Sequence, residues 1–460
     1  MKSSLHALQA WIPNASATSD VVFTGVTTDS RSALPGTLFV ALRGERFDAH
    51  DFIHDVFAKG VAAVVVEHLP QDMNVPALLV ADTRVALGEI ARHWRRQFSL
   101  PVIGVTGSNG KTTVKEMIAS ILAAMVGEDH CLATRGNFNN DIGVPLTILR
   151  LDAAHRAAVI ELGMNHPGEI ALLASIAQPT LGLVNNAQRE HQEFMASVEA
   201  VAQENGAVIS TLPANGIAVF PADDPFTPLW REYATQSGQR KIVTFGFSAD
   251  ADVTCTYQPN DFGSDLSVSA GQHHFSIRLA AAGVHNVRNA LAAVACTLAI
   301  GVSPEAIVCG LESFMPVSGR LQRKIARNSA TVIDDTYNAN PDSVRAAIDV
   351  LVQAPSPRVL ILGDMGEVGD EGRQFHEEIG IYARDRGIEH VWTLGALAHH
   401  TTSAFGVQAK HFEDITALND AADEFVAASF DATVLVKGSR FMRMERIVQH
   451  LVNEQPQESH

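Results

Sequence analysis

Short apolar runs alternate along this chain with stretches whose apolar residues have helical spacing. The runs at residues 102–105, 157–160 and 181–184 have the length and composition of buried strands. The segment after Gly110 instead repeats apolar residues every three or four positions, as one face of a helix does. Strands that alternate with helices predict a largely parallel sheet with helices on both faces, so we expect an α/β fold.

The same pattern divides the chain into three parts. A helix predicted over residues 83–97 ends shortly before Pro101, and the strand and helix pattern begins again near Pro316. At 460 residues the chain also exceeds the size at which a single core stops growing. We therefore expect three α/β domains, at residues 1–98, 99–315 and 316–460.

Composition narrows the classes of function. Hydrophobic residues make up 46% of the chain and charged residues 18%, as in ordinary soluble proteins. A net charge of −17 without a basic tract argues against a nucleic-acid partner. The four cysteines lack C-x-x-C spacing, so neither a zinc site nor a disulfide framework is indicated. No apolar N-terminal segment and no run of about twenty apolar residues occurs, so we expect no membrane partner and a cytoplasmic location.

The strongest chemical signal is a glycine loop between the predicted strand at 102–105 and the helix after it. Gly107 and Gly110 permit backbone angles that let successive N–H groups point at one centre, where Lys111 adds a positive charge. The loop stands at a helix N-terminus, whose dipole favours phosphate. This predicts a P-loop, with Lys111 on the β- and γ-phosphates and the Thr112 hydroxyl on Mg²⁺. The strict pattern requires glycine where this chain has Val105, so a chance glycine-rich turn is the alternative, which the flanking elements disfavour.

Polar residues follow two of the predicted strands. Glu161 comes directly after the run at 157–160, and His191 follows the run at 181–184. Because ligands of open α/β sheets bind beyond the carboxyl ends of the strands, both side chains are expected to face the phosphates. Glu161 is a candidate metal ligand, with a structural carboxylate as the alternative, and His191 is either a ligand or a surface histidine.

Other polar positions have two interpretations each. The asparagines of residues 136–143 suit amide recognition of a polar ligand or a plain turn. Asn289 precedes an alanine-rich helix predicted over 290–300, so it is either a helix cap or an amide that reads a base. Arg31 and Arg43 are either surface residues or contacts to a phosphorylated or sugar ligand.

Taken together, these motifs resemble the ATP-dependent Mur ligases of peptidoglycan synthesis over nearly the whole chain. The resemblance is carried by the P-loop, by the spacing from Asn186 to His191, and by motifs at 136–145, 161–165, 285–292 and 319–321. Further motifs indicate a member that uses D-alanyl-D-alanine, at residues 29–31, 335–341, 363–369 and 437–440. The valine at 105 is consistent with this family, whose loop is recognised from its T-G-x-N-G-K-T core.

The resemblance implies a fold and a reaction. It implies an N-terminal domain that holds a UDP-sugar, a central ATPase domain and a C-terminal Rossmann-like domain that closes over the ATP site. The implied substrates are ATP, UDP-N-acetylmuramoyl-tripeptide and D-alanyl-D-alanine, with Mg²⁺ as the cofactor. The carboxylate of the tripeptide attacks the γ-phosphate, and the amine of the dipeptide then displaces phosphate from the acyl phosphate. We expect a monomer.

The resemblance also implies roles for individual residues. Lys111 serves the phosphates, Thr112 and Glu161 hold one Mg²⁺, and His191 helps to hold a second. Adenine, phosphate and ribose correspond to Asn289, Arg320 and Asp335 in that order. The remaining P-loop contacts to the nucleotide are Thr106, Gly107, Ser108, Asn109, Gly110 and Thr113. The implied substrate contacts are Ser30, Arg31, Asn137, Asn139, Asn140, Asn338 and Asn340.

One departure from the family concerns the second metal. Many of these ligases carry a lysine, carbamylated in use, about a dozen residues after the metal histidine, and this chain has none between Lys115 and Lys241. Glu204 is the candidate carboxylate in that segment, with a solvent-facing glutamate as the alternative. We also expect activity that does not depend on bicarbonate. Two other classes stay open, a folylpolyglutamate synthase-like ligase and a non-catalytic nucleotide-binding regulator.

Overall fold

The computed structural model of the protein describes residues 1–44, 47–190, 193, 195–236, 238 and 240–452. It consists of three α/β domains in chain order, which confirms the predicted fold class. The domain boundaries near residues 98 and 315 remain predictions. No helix in the described part of the chain has the length and apolarity needed to cross a bilayer.

The described N-terminal domain contains a five-stranded sheet in the order β2-β7-β6-β5-β4, and a separate pair, β1 and β3. Its strands are β1 (Lys2–Ser4), β2 (Ser16–Ala17), β3 (Val22–Thr24), β4 (Val26–Thr27), β5 (Leu38–Val40), β6 (Ala63–Val66) and β7 (Ala77–Leu79). Its helices are α1 (Leu5–Trp11), α2 (Ile53–Ala58) and α3 (Thr83–Arg95), with a 3₁₀ turn at Ala49–Phe52. The side chain of Asp82 caps α3 by accepting from the N–H groups of Arg84 and Val85, which explains where this helix begins.

The central domain is built on a nine-stranded sheet in the order β16-β15-β14-β13-β12-β11-β8-β10-β9, counted over the described residues. The strands are β8 (Val102–Thr106), β9 (Cys131–Ala133), β10 (Ala157–Glu161), β11 (Leu181–Val184), β12 (Ile217–Pro221), β13 (Lys241–Phe245), β14 (Val253–Asn260), β15 (Gly263–Ala270) and β16 (His273–Leu279). The helices are α4 (Lys111–Val126), α5 (Gly143–Ile148), α6 (Glu169–Ala177), α7 (Val198–Ser210), α8 (Thr227–Gln236), α9 (Val284–Ala299) and α10 (Pro304–Ser313), with a 3₁₀ turn at Glu128–His130.

The C-terminal domain has a six-stranded sheet in the order β17-β18-β22-β19-β20-β21 within the residues described. The strands are β17 (Gln322–Ile325), β18 (Thr331–Asp335), β19 (Arg358–Gly363), β20 (His390–Leu394), β21 (Ala409–Phe412) and β22 (Thr433–Lys437). The helices are α11 (Pro341–Val352), α12 (Gly372–Asp385), α13 (His399–Phe405), α14 (Ile415–Ala428) and α15 (Glu445–Val452), with 3₁₀ turns at Gly369–Glu371 and Arg440–Met442.

The central sheet places the site through its strand order. β8 lies between β10 and β11 and is parallel to both, so Thr106, Glu161 and Val184 reach the same edge of the sheet. All three strands are fully buried, which accounts for their continuous apolar runs. The edge at which these strands end therefore carries the P-loop and the acidic residue predicted to face it.

Two details differ from the predicted elements. The central sheet ends in an antiparallel meander, β14 to β16, which the analysis of strand and helix alternation did not anticipate. In β15 the buried residues Leu266, Val268 and Ala270 alternate with polar ones, a period-two pattern typical of a strand with one solvated face. In addition, α9 begins at Val284, six residues before the predicted start at 290.

Candidate functional site

The central and C-terminal domains enclose a cleft of about 1020 Å³. The central domain lines it with the P-loop and Glu161, and the C-terminal domain lines it with Arg320, Asp335 and Lys437. Of the other predicted residues, the cleft is lined by Ser108, Asn109, Gly110, Lys111, Thr112, Thr113, Asn137, Asn139, Asn140, Asn289, Asn338 and Asn340. Thr106, Gly107, Ser30 and Arg31 do not line it, and His191 lies outside the described residues. Most of the predicted nucleotide residues thus share one cavity.

The P-loop depends on glycine at two points. Gly107 has φ +131° and Gly110 has φ +82°, a left-handed conformation in which a side chain is strained. A Cβ on Gly110 would stand 2.5 Å from Asn289 Oδ1 and 2.8 Å from Asn185 Nδ2. The loop is therefore packed directly against two asparagine amides, and α4 begins immediately after it at Lys111.

Asparagine oxygens accept the first three N–H groups of the loop. The pairs are Gly107 N to Asn205 Oδ1 (2.9 Å), Ser108 N to Asn186 O (3.2 Å) and Asn109 N to Asn186 Oδ1 (2.9 Å). These contacts hold the loop in shape from the protein side. The N–H groups of the first turn of α4, which have no partner within a helix, remain directed at the cleft, where the helix dipole favours an anion.

Lys111 stands at the mouth of the loop. Its Nζ donates to the carbonyl oxygens of Gly107 and Ser108, the latter at 3.1 Å, and to Glu190 Oε2 at 3.2 Å. Both side chains of the Lys111–Glu190 pair are largely buried, with 16% and 7% exposed. The Lys111 ammonium is thus held by two loop carbonyls and also pairs with the Glu190 carboxylate.

Only one of the two carboxylate oxygens of Glu161 accepts a hydrogen bond. Oε1 accepts from Asn139 Nδ2 at 2.8 Å, whereas Oε2 is buried without a hydrogen-bond donor. The Glu161 N–H is anchored on Thr134 Oγ1 at 3.0 Å, which fixes the end of β10. A buried carboxylate oxygen without a donor is costly unless a cation meets it, and oxygen is the ligand that Mg²⁺ prefers. With the Thr112 hydroxyl in the same cleft, these residues fit a magnesium ion that takes its other ligands from phosphate or water.

The described residues contain no cluster of three or more His, Cys, Asp or Glu side chains that could enclose a metal ion by themselves. His191, the residue predicted to help hold a second metal, lies outside the described part of the chain. A metal cage made of such protein side chains alone is therefore absent from the described residues.

The three asparagines of the segment 136–143 divide between the two interpretations. Asn139 positions Glu161, as described above. Asn140 Oδ1 accepts from the N–H groups of Ile142 and Gly143, so it stabilises the turn that leads into α5. Asn137 lines the cleft and is exposed. The segment thus combines a turn with residues directed at the cavity.

Asn289 is not a helix cap, and its predicted contact with the base stays a prediction. It lies within α9 rather than at its start and is 4% exposed. Its Oδ1 accepts from Asn185 Nδ2 at 3.0 Å, and its Nδ2 donates to Asn286 Oδ1 at 3.1 Å. Asn185 Nδ2 also donates to Asn109 O at 2.8 Å. This chain of amides connects α9 to the back of the P-loop, so the interpretation of Asn289 as a helix cap was wrong.

The C-terminal side of the cleft centres on a buried ion pair. Lys437 Nζ lies 2.6 Å from Asp335 Oδ2 and also donates to Asn338 O, while Asp335 Oδ1 accepts from the Leu321 N–H at 3.1 Å. The Arg320 guanidinium lies 4.1 Å from the centre of the Tyr337 ring, a cation–π contact. Arg320 is thus held against the cleft by an aromatic ring.

The sequence interpretation did not anticipate that Asn340, predicted as a substrate contact, and Arg189, which was not predicted, join the two domains. Asn340 caps α11 through Ser343 and donates from Nδ2 to Asn109 Oδ1 at 2.9 Å. Arg189 of the central domain pairs with Asp342 and Glu378 of the C-terminal domain. Arg189 lies between Asn186 and His191, a segment that was used only for its spacing. An arginine two residues before the predicted site residue His191 was the available signal.

Ser30 and Arg31 lie on the N-terminal domain, after β4. The Arg31 guanidinium pairs with Asp29 at 2.8 Å, and its side chain is 89% exposed. Lys59 Nζ donates to the backbone oxygens of Ser30 and Arg31 and ties the loop down. The loop is therefore formed and accessible, and its predicted role in binding a UDP-sugar remains a prediction.

Glu204 is a structural residue. Its Oε2 accepts from the Gly168 N–H at 2.9 Å and its Oε1 from the Ile170 N–H at 2.8 Å. Both oxygens are therefore used at the start of α6, where the helix dipole also favours a negative charge. The suggestion that Glu204 replaces the missing lysine as a metal ligand was wrong, because its helical position on α7 directs it to α6.

A strand, glycine loop and helix that face a second α/β domain across a polar cleft define a P-loop nucleotide-binding protein. Three family models match the chain in order. The Mur ligase family, catalytic domain, matches residues 22–95, the Mur ligase middle domain matches 105–297, and the Mur ligase, glutamate ligase domain, matches 319–440. The chain belongs to the Mur ligase family.

Individual relatives are similar over almost the entire chain. UDP-N-acetylmuramoyl-tripeptide--D-alanyl-D-alanine ligase of Escherichia coli (strain K12) is 42% identical over 434 residues, 94% of each chain. A crystal structure of MurF from Acinetobacter baumannii superposes with a TM-score of 0.90 at 36% identity, covering 98% of both chains. MurF ligase from Thermotoga maritima in complex with ADP superposes with a TM-score of 0.82 at 26% identity, covering 94% of this chain and 97% of that one.

Proposed function

We propose that this chain is an ATP-dependent ligase that joins D-alanyl-D-alanine to UDP-N-acetylmuramoyl-tripeptide. The observation that carries the proposal is the cleft in which the P-loop of the central domain faces Arg320, Asp335 and Lys437 of the C-terminal domain. A relative of that name is 42% identical over 94% of the chain, and a MurF with the same fold was solved with ADP. Together they support a nucleotide-dependent peptide ligase over the two other classes that the sequence left open.

In the proposed reaction a carboxylate oxygen of the tripeptide attacks the γ-phosphorus of ATP, and ADP leaves. The amine of the dipeptide then attacks the acyl carbon and loses a proton, and phosphate leaves as the amide bond forms. Lys111 and the N–H groups at the start of α4 oppose the negative charge that spreads over the transferring phosphoryl group. Positioned charge of this kind supplies most of the rate enhancement in phosphoryl transfer.

Magnesium is part of the proposal. Glu161 Oε2 and the Thr112 hydroxyl are the oxygen atoms that would hold it, and Asn139 keeps the Glu161 carboxylate in place. When bound, Mg²⁺ neutralises phosphate charge and orients the β- and γ-phosphates. His191 is proposed as a ligand of a second ion.

The remaining predicted residues divide between the nucleotide and the peptide substrates. We propose that Asp335 and Arg320 serve the ribose and the transferring phosphate, and that Asn137, Asn338 and Asn340 face the bound substrates at the cleft. Ser30 and Arg31 are proposed to bind the UDP-sugar on the N-terminal domain. A cytoplasmic, monomeric enzyme would be consistent with these soluble substrates.

Phosphate release from ATP tests the proposal. We expect release only when UDP-N-acetylmuramoyl-tripeptide and D-alanyl-D-alanine are both present, together with formation of the UDP-pentapeptide detected by mass spectrometry. Release that instead requires a folate and glutamate would favour a folylpolyglutamate synthase-like enzyme. Nucleotide binding without release under any of these conditions would favour a regulator and contradict the proposal.

A further inference from the structure

Arg189 crosses from the central domain to the C-terminal domain. Its Nε donates to both oxygens of Asp342 at 3.2 Å, and its terminal nitrogens donate to the two oxygens of Glu378 at 3.0 Å each. The backbone N–H of Arg189 also donates to Asp342 Oδ2 at 3.0 Å. The guanidinium lies 5.4 Å from the centre of the Phe375 ring. One side chain thus contacts the start of α11 and the middle of α12.

These contacts are shielded from solvent. The side chains of Arg189, Asp342 and Glu378 are each about three-quarters buried, with 24%, 23% and 24% exposed. Hydrogen bonds to Asp342 raise the pKa of the Arg189 guanidinium, which therefore stays charged at every physiological pH. Forked contacts of arginine with carboxylates are directional as well as strong, so this set specifies one relative placement of the two domains.

The next residue in the chain reaches the P-loop. Glu190 Oε2 lies 3.2 Å from Lys111 Nζ, the ammonium proposed to serve the phosphates. Because Arg189 and Glu190 are consecutive, their backbone positions cannot change independently. The residue held by the C-terminal domain and the residue that contacts Lys111 are therefore joined by a single peptide unit.

We propose that Arg189 and Glu190 are positioning residues that couple closure of the C-terminal domain to the placement of Lys111. Closure brings Asp342 and Glu378 onto Arg189, which fixes the Glu190 carboxylate beside the Lys111 ammonium. The Glu190 carboxylate thereby adds to the loop carbonyls that hold the lysine, and it does so only when the C-terminal half of the cleft is in place. This inference rests on the proposed function for its kinetic readout, but its structural readout does not.

The structural test is small-angle X-ray scattering of the full chain with AMP-PNP and MgCl₂. We expect Arg189→Ala to increase the radius of gyration relative to the wild type, because the contacts across the cleft are lost. Arg358→Ala is the matched control. Arg358 pairs with Glu389 at 2.9 Å within the C-terminal domain, so an equivalent ion pair is lost without affecting closure. A radius of gyration for Arg189→Ala equal to that of the wild type and the control would overturn the proposal.

The kinetic test separates positioning from simple destabilisation. Loss of charge-assisted hydrogen bonds should lower kcat of Arg189→Ala about tenfold. The KM for the UDP-linked substrate should stay within about twofold of the wild-type value, because Arg189 makes no contact on which binding of that substrate depends. Arg189→Lys should recover part of kcat, because lysine keeps the charge but not the fork. Equal loss in Arg189→Ala and Arg358→Ala would indicate a purely structural role.

The coupling itself is tested by a double-mutant cycle between Asp342→Asn and Glu190→Gln. Independent effects on kcat multiply, so a departure of more than about threefold from the product would support coupling between the two domains. Effects that multiply to within about threefold would overturn it. If the wild type shows no ligase activity with the proposed substrates, the proposed function fails, and the scattering comparison still decides whether Arg189 holds the domains together.

Discussion

Asn205 Oδ1 lies 2.9 Å from the backbone nitrogen of Gly107 and accepts its N–H. The Thr106 hydroxyl donates to the backbone oxygen of the same asparagine at 3.3 Å. Asn205 is 1% exposed and belongs to the segment of α7 in which the sequence resemblance implies a lysine that this chain lacks. In this chain the segment therefore contacts the P-loop through the neutral amide of Asn205. The preceding residue, Glu204, contacts the start of α6 instead.

Replacement of Asn205 by alanine should disturb the P-loop. The substitution leaves the buried N–H of Gly107 without an acceptor, which costs about 1 to 3 kcal/mol. We expect a lower melting temperature and a raised KM for ATP, measured by thermal denaturation and by phosphate release. Gln203→Ala, at an exposed position of the same helix, is the control. Wild-type values for Asn205→Ala would mean that the loop holds its shape without this contact.

Glu204→Gln should leave the Mg²⁺ dependence of activity unchanged. Both Glu204 oxygens accept from backbone N–H groups of Gly168 and Ile170, so the side chain stabilises α6 rather than a metal. Loss of the charge at the helix start should cost about 0.5 to 1 kcal/mol of stability. A Mg²⁺ titration at saturating ATP, beside a denaturant melt, checks both effects. A shift of the titration to higher Mg²⁺ would restore Glu204 as a metal ligand.

Lys111→Ala should abolish ligation while the fold persists. The loop is shaped by glycine conformations and asparagine contacts, whereas the lysine supplies charge for the phosphates. Phosphate release and far-UV circular dichroism measure the two properties. Lys241→Ala, at an exposed position, should retain activity. Substantial activity in a purified Lys111→Ala protein would contradict the assigned role.

Arg31→Ala should raise the KM for the UDP-linked peptide far more than the KM for ATP. The side chain is 89% exposed and pairs only with Asp29 at 2.8 Å among the described residues, so its loss should not affect folding. An increase in KM without a change in kcat is the signature of lost ground-state binding. Arg278→Ala removes a comparably exposed pair with Asp265 and should change neither constant. Equal effects of Arg31→Ala on both substrates would argue for a structural role.

Gly110→Ala should inactivate the enzyme, whereas Gly168→Ala should not. Both residues have positive φ, +82° and +91°, so an added Cβ strains each backbone by about 1 to 2 kcal/mol. Only at Gly110 would the Cβ also collide, at 2.5 Å from Asn289 Oδ1, while nothing lies within 4 Å of the corresponding atom at Gly168. The affinity of both variants for a fluorescent ATP analogue is compared. Because both variants share the backbone strain, a difference in affinity reports the effect of the collision at Gly110. Equal affinities would show that the Asn185 and Asn289 amides behind the loop move to accommodate the added methyl group.

Much of the fold followed from local pattern. The apolar runs before the P-loop, before Glu161 and at residues 181–184 became the buried strands β8, β10 and β11, because residues buried on both faces must be continuously apolar. The meander β14 to β16 was missed because its strands alternate buried and exposed residues and therefore lack the continuous apolar runs of the parallel strands. The early start of α9 was missed because the polar residues His285, Asn286, Arg288 and Asn289 interrupt the apolar pattern in its first two turns.

The sequence by itself determined the three α/β domains, the P-loop and the family to which the chain belongs. These follow from the spacing of apolar residues and from short motifs, both of which are local along the chain. Only the tertiary structure decided which polar groups meet. Asn205 contacts Gly107 across 98 residues, and Arg189 contacts Asp342 across 153. Glu204, the acidic residue that precedes Asn205, instead contacts the start of α6. Such pairs depend on how each helix is oriented and on how the domains are placed. Neighbouring residues on a helix point in different directions, so no local sequence pattern predicts which of them makes the contact.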